Sequence, residues 1–137
     1  MSDQPILTFE NHGPITLGRI EAASVLDAVN VTQLGSELMN YVEKKPGIRL
    51  LLDFEHVDYL SSAVLTELLR INKVVNEKKG SLRLCSLNQD IRKVFEITNL
   101  DRMFVIYGDC DDGVRKFQRS LAIEAQEEAW GELGKEG

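Results

Sequence analysis

The sequence predicts a single α/β domain: a mixed, mainly parallel β-sheet of four to five strands, flanked by about four helices. Three observations carry this expectation. Strand-like and helix-like segments alternate from residue 30 onward, which implies parallel pairing through right-handed crossovers. Two short strand-like segments joined by a turn precede them and imply an antiparallel edge. The length of 137 residues suits one domain, and an apolar fraction of 43% can supply its core.

The elements follow in order. Ile6 to Glu10 and Pro14 to Ile20 read as short strands, with Asn11-His12-Gly13 as the turn of a hairpin. Residues 21–29 are ambiguous, with room for a short strand near Ser24 to Leu26. Asn30-Val31-Thr32-Gln33 resembles a capping box. Val31, Leu34, Leu38, Tyr41 and Val42 then recur at helical spacing, and Lys44-Lys45-Pro46-Gly47 stops that helix. Ile48 to Phe54 is almost continuously apolar, the pattern of a central strand covered on both faces.

Val57-Asp58-Tyr59-Leu60 leads to Ser61-Ser62, either of which can cap the next helix. That helix covers residues 62–78, with Val64, Leu65, Leu68, Leu69, Ile71 and Val75 on its apolar face. Lys78-Lys79-Gly80 ends it. Leu82, Leu84 and Leu87 mark another strand region, and Ile91, Val94 and Phe95 a short helix. Met103 to Tyr107 reads as a last strand. Val114, Phe117 and Leu121 mark a last helix starting near Asp111 or Asp112. Residues 1–125 are expected to form the domain. The Glu- and Gly-rich segment 126–137 is expected to be a flexible tail, with Trp130 as its candidate anchor.

Composition excludes several function classes. Against 22 Asp plus Glu stand 16 Lys plus Arg, a net charge of −6. That balance argues against broad binding of nucleic acid or anionic membrane, which needs a basic face. No run of about 18 apolar residues exists, so no transmembrane helix is expected. The N-terminus does not read as a secretory signal. Two cysteines, Cys85 and Cys110, make no disulfide framework. A cytoplasmic protein is the plain reading.

The residues offer no assembled enzyme site and no cofactor motif. His12 falls in a turn and His56 after a strand, and neither has a partner at metal-ligand spacing. Cys85 lies in an apolar strand, where a buried structural thiol is the default. Cys110 stands among Asp109, Asp111 and Asp112, an acidic setting that makes a poor nucleophile. That acidic run lacks the remaining ligands of a calcium loop and reads better as a solvated helix start. Phosphate-loop, dinucleotide and hydrolase-elbow motifs are missing. Ser61-Ser62 is the most suggestive feature. A hydroxyl at a helix start meets unpaired N–H groups, where an added phosphate is well placed. The plain alternative is an ordinary serine cap, which is the commoner use.

The stretch from Leu51 to Leu65, Leu-Leu-Asp-Phe-Glu-His-Val-Asp-Tyr-Leu-Ser-Ser-Ala-Val-Leu, resembles the signature of STAS domains of the anti-sigma-factor antagonist family. Similarity continues through Lys79-Gly80-Ser81-Leu82-Arg83-Leu84-Cys85 and through Ile91 to Leu100. Upstream, Leu26-Asp27 before the first helix matches the family's Leu-Asp. The resemblance spans about residues 5–122.

The resemblance implies a non-enzymatic regulator, switched by phosphorylation of a serine at the start of the second helix. The kinase would be an anti-sigma factor of the GHKL ATPase type. The unphosphorylated protein would bind that kinase and release its client. A PPM-type serine phosphatase would restore the unphosphorylated form. In the family pattern Asp-Ser-Ser-Gly-Leu or Asp-Ser-Thr-Gly-Leu, the second hydroxyl residue is phosphorylated. Aligned without gaps, Ser61 falls on the Asp, Ser62 on the first Ser, Ala63 on the usual acceptor, Val64 on the Gly and Leu65 on the Leu. Ser62 is therefore the preferred acceptor and Ser61 the reserve. Asp27, Asp58, Ser61, Ser62, Ala63 and Val64 are the expected partner-binding residues, with Val64 adding bulk to the contact surface. No cofactor or metal is implied, and a monomer is expected in the free state.

Three other readings compete. Ala63 is consistent with a STAS scaffold or adaptor that is never phosphorylated. A response-regulator receiver wants an acidic pair after its first strand and a Lys after its last, and both are missing here. A small enzyme on a flavodoxin-like fold lacks an assembled site.

Overall fold

The computed structural model describes residues 5–21 and 25–135. Its main sheet has five strands in the order β1-β2-β4-β6-β7. They are β1 (Leu7–His12), β2 (Ile15–Ile20), β4 (Arg49–Asp53), β6 (Ser81–Cys85) and β7 (Ile106–Tyr107). β1 and β2 pair antiparallel, and every other neighbour in this sheet pairs parallel. Two short strands, β3 (Val25–Leu26) and β5 (Tyr59–Leu60), form a separate parallel ribbon. The helices are α1 (Val31–Glu43), α2 (Ser62–Glu77), α3 (Gln89–Ile97) and α4 (Cys110–Lys135).

The hairpin turns later than the sequence suggests. β1 runs to His12, whose partner is Ile15, so Gly13 and Pro14 alone make the turn. Gly13 sits at φ +62°, in the left-handed region that a two-residue hairpin demands at its first position. Glu37 of α1 then accepts hydrogen bonds from the N–H groups of Ile6 and Leu7 at 3.0 and 2.9 Å, which fixes this edge against the helix layer.

β4 explains the continuous apolar run. Leu50 and Leu52 enter a large core under α1, α2 and α3, while Leu51 enters a smaller one with Ile15, Leu17, Cys85 and Phe117 under α4. Alternating side chains of one strand thus fill both layers. The apolar face of α2 points into the larger core, with Val64, Leu65, Leu68, Ile71 and Val75 all buried.

The end of α2 divides between two residues. Lys79 takes the left-handed conformation at φ 65°. Gly80 is needed for closeness instead, because an added Cβ would lie 2.5 Å from the Ile48 carbonyl oxygen.

The last strand is shorter than the expected Met103 to Tyr107, because a 3-10 turn occupies Leu100–Arg102 and Met103 and Val105 face solvent. α4 starts at Cys110, one or two residues early, because Asp109 accepts the Asp112 N–H at 2.7 Å and caps it. The acidic run is thus a helix start. α4 continues through residues 126–135, and Trp130 is 74% exposed.

Candidate functional site

In a parallel sheet, each helix that follows a strand starts at the sheet's carboxyl edge. That edge gathers the residues singled out in the sequence. The β3–β5 ribbon is the local device. Its register sets Val25 against Tyr59 and Leu26 against Leu60, so Asp27 and Ser61 leave the ribbon side by side. The Ser61 N–H donates to the Leu26 carbonyl at 2.8 Å, extending the pairing by one bond.

Ser61 is the N-cap of α2 in extended conformation, at φ −90° and ψ 166°. Its hydroxyl does not perform the expected capping bond. Ser61 Oγ is shielded from solvent and has no hydrogen-bond partner among the described residues. Ser62 is the first helical residue and is exposed. The first turn of α2 carries no acidic side chain. An anion on Ser62 would therefore meet the N–H groups at the helix start without a carboxylate on that turn opposing it.

Ala63 is half-buried and Val64 is fully buried in the larger core. This corrects the expectation for Val64: its bulk faces inward and supplies no contact surface. The reason is helical period, since Val64, Leu68 and Ile71 recur on one face. The same period leaves Ser62 and Thr66 on the solvent side.

Asp27 is a structural cap as well as a surface residue. Its Oδ1 accepts the N–H groups of Val29 and Asn30 at 2.9 and 3.2 Å, and the Asn30 side-chain oxygen accepts the Asp27 N–H at 2.8 Å. The Asn30 side chain thus turns back to Asp27 and makes no capping bond to its own helix. The chain is already helical at Asn30, with φ −89° and ψ −6°, so the cap moves one turn upstream. Gln33 reaches along the helix and donates to Glu37 at 2.8 Å.

Asp58 is exposed beside this group. Its carbonyl accepts from Asn88 Nδ2 at 3.1 Å, the Val57 carbonyl accepts from the same nitrogen at 3.3 Å, and Asn88 Oδ1 caps α3 by accepting the Ile91 N–H at 2.8 Å. Asn88 thus braces the loop that carries Asp58. Sequence reasoning missed it, although an Asn three residues before Ile91 is a readable cap signal.

A second group was not foreseen. On the α4 side of the same edge, a cleft of about 580 Å³ is lined by Arg19, Asp53, Glu55, Ser86, Cys110 and Arg115 among others. Asp53 is buried and accepts the Glu55 N–H at 2.9 Å, with Arg19 Nε 3.8 Å from its other oxygen. Behind Cys110 lies Cys85, with the two sulfurs 3.1 Å apart. The hydrogen bond to Cys110, followed by burial, holds the Cys85 thiol far above the ordinary thiol range. Among the described residues, Asp53, Cys85 and Cys110 are the three possible metal ligands that come together, with ligand atoms within 4.8 Å of one another. His12 and His56 do not join them. His12 lies 4.0 Å from Glu10, and His56 is exposed.

Comparison with known proteins places this edge in context. The family model described as STAS domain matches residues 7–113. BtrV of Bordetella bronchiseptica, a protein named as an anti-sigma factor antagonist, is 33% identical over 97 residues, covering 71% of this chain and 83% of that protein. A STAS-domain anti-sigma-factor antagonist from Planctomyces limnophilus superposes with a TM-score of 0.76 at 20% identity, covering 82% of this chain and 97% of the other. The Bacillus cell fate determinant SpoIIAA in its phosphorylated form superposes with a TM-score of 0.62 at 15% identity, covering 80% of this chain and 97% of the other. Among the described residues no helix is long and apolar enough to cross a membrane.

Proposed function

The chain belongs to the STAS domain family, and from that premise we propose that it is an anti-sigma factor antagonist acting by partner switching. The unphosphorylated protein binds a GHKL-type serine kinase that is also an anti-sigma factor, and so releases the kinase's client. Phosphorylation of Ser62 ends the binding, and a PPM-type serine phosphatase restores it. The protein itself catalyses nothing, acts in the cytoplasm and is a monomer when free.

The observation that carries this reading is the contrast between the two serines. Ser62 is exposed on a helix start with no acidic side chain in its first turn, whereas the Ser61 hydroxyl is shielded. Ser62 is therefore the acceptor, and Ser61 drops further into reserve. Asp27 and Asp58 flank it on the proposed contact surface, with Ser61 and Ala63 between them. A relative described in a phosphorylated form supports the same chemistry. Phosphoserine adds about −1.5 to −2 charge to an already acidic surface, so a partner presenting apolar or acidic groups there is repelled.

The test is phosphosite mapping by mass spectrometry, after incubation with ATP and each GHKL-type serine kinase encoded in the same genome. One phosphate on Ser62 is expected. Binding to a kinase with no phosphate incorporated would instead favour a constitutive STAS adaptor, with Ala63 at the family's usual acceptor position as the reason.

A further inference from the structure

We propose that Cys85 and Cys110 form a reversible intramolecular disulfide, a modification site that ties the start of α4 to the end of β6. The inference stands apart from partner switching and uses the opposite side of the sheet's carboxyl edge.

Proximity comes first. The sulfurs are 3.1 Å apart, so closing to the bonded distance of about 2.04 Å takes a movement of roughly 1 Å. The two cysteines also differ in access. Cys85 is buried and Cys110 is half-buried on the wall of the open cleft. Cys110 is thus the sulfur an oxidant reaches first, and Cys85 is the resolving thiol behind it. Cys110 opens α4 at the mouth of that cleft, within reach of solvent.

A metal fits the same atoms less well. Two thiolates on one tetrahedral zinc at about 2.3 Å stand roughly 3.8 Å apart, wider than the pair seen here. The third candidate ligand, Asp53, is already engaged by Arg19 and by the Glu55 N–H.

The oxidant is a hydroperoxide. The Cys110 thiolate attacks one peroxide oxygen, the O–O bond breaks, and the leaving oxygen departs as hydroxide or alkoxide. Cys110 is then a sulfenic acid. The Cys85 sulfur attacks the Cys110 sulfur and the S–O bond breaks. The Cys85 proton leaves with that oxygen as water. Two electrons pass from the thiols to the peroxide, and a dithiol reductant reverses the change by exchange.

The experiment treats the reduced full chain with hydrogen peroxide, then alkylates it in denaturant and measures the intact mass. Two alkylations are expected before peroxide and none after it, with a chain lighter by two hydrogens. A peptide joining the Cys85 and Cys110 segments should appear, and dithiothreitol should restore both thiols. Closing this loop should raise Tm by about 5–10 °C. Cys110→Ser should leave Cys85 alkylatable after peroxide and Tm unmoved. The same oxidation in urea should lose most of its yield, since the fold supplies the proximity. Two free thiols after peroxide, over-oxidation of Cys110 without a link, or links only between chains would each overturn the proposal.

Discussion

The Ser61 N–H donates to the Leu26 carbonyl at 2.8 Å, and this bond fastens the start of α2 to the segment that leads into α1. Two stretches far apart in sequence thereby present one surface. Asp27 and Ser62 each lie one residue beyond the bonded pair, on the chain that leaves it. The two-strand ribbon needs no core of its own, because Leu26 and Leu60 are buried in the large one.

Substitution at Ser62 tests the switch. Ser62→Asp is expected to weaken kinase binding about a hundredfold, or ~2.8 kcal/mol. Ser62→Ala should bind like the parent and accept no phosphate. Titration calorimetry on the three proteins decides it, and equal affinities throughout would remove Ser62 as the control point.

Asp27 has two roles that can be separated. Asp27→Ala removes the acceptor for the Val29 and Asn30 N–H groups and should cost about 1 kcal/mol in urea unfolding. Asp27→Asn keeps an acceptor and should unfold like the parent. If the carboxylate also contacts the kinase, Asp27→Asn should bind more weakly at unchanged stability. Unchanged affinity would leave Asp27 as a cap alone.

Gly80→Ala should destabilise by about 1–3 kcal/mol, because the new methyl meets the Ile48 backbone oxygen at 2.5 Å and neither strand nor helix end can yield freely. Leu68→Asp should be worse and prevent folding, since Leu68 is buried in the large core and an unpaired carboxylate there is costly. Thermal melts that match the parent would show that the α2 register differs from the one described.

Stability should fall at alkaline pH because of Cys85. Its folded thiol is held protonated by the Cys110 hydrogen bond and by burial, while the unfolded thiol ionises near pH 8.5. Below that pH both states carry the proton and the contribution is constant. Above it the unfolded chain binds fewer protons than the native one, so stability drops by up to ~1.4 kcal/mol per pH unit. Urea unfolding under reducing conditions from pH 8 to about 10.5 should show a steeper decline for the parent than for Cys85→Ala. Parallel declines would assign the effect to other groups.

The sequence by itself determined the hairpin, the alternation of helices with the main-sheet strands and the two-faced central strand, but not the β3–β5 ribbon, since Tyr59–Leu60 read only as a lead-in to the helix. These follow from local pattern: the continuous apolar run of β4 and helical spacing in α1 and α2 report burial without knowledge of any partner. It also marked Ser61-Ser62 as a helix start, because a hydroxyl before an apolar stripe is a local signal. Tertiary structure alone decided which serine is open, since burial of the Ser61 hydroxyl depends on what packs over it. It moved the α1 cap from Asn30 to Asp27, because the chain coils directly after the ribbon, where the Asp27 carbonyl accepts the Val31 N–H at 3.0 Å. It also turned Val64 inward and set Cys85 against Cys110. Each cysteine read alone looked inert, and their meeting arises only when β6 and α4 are brought to the same edge of the sheet.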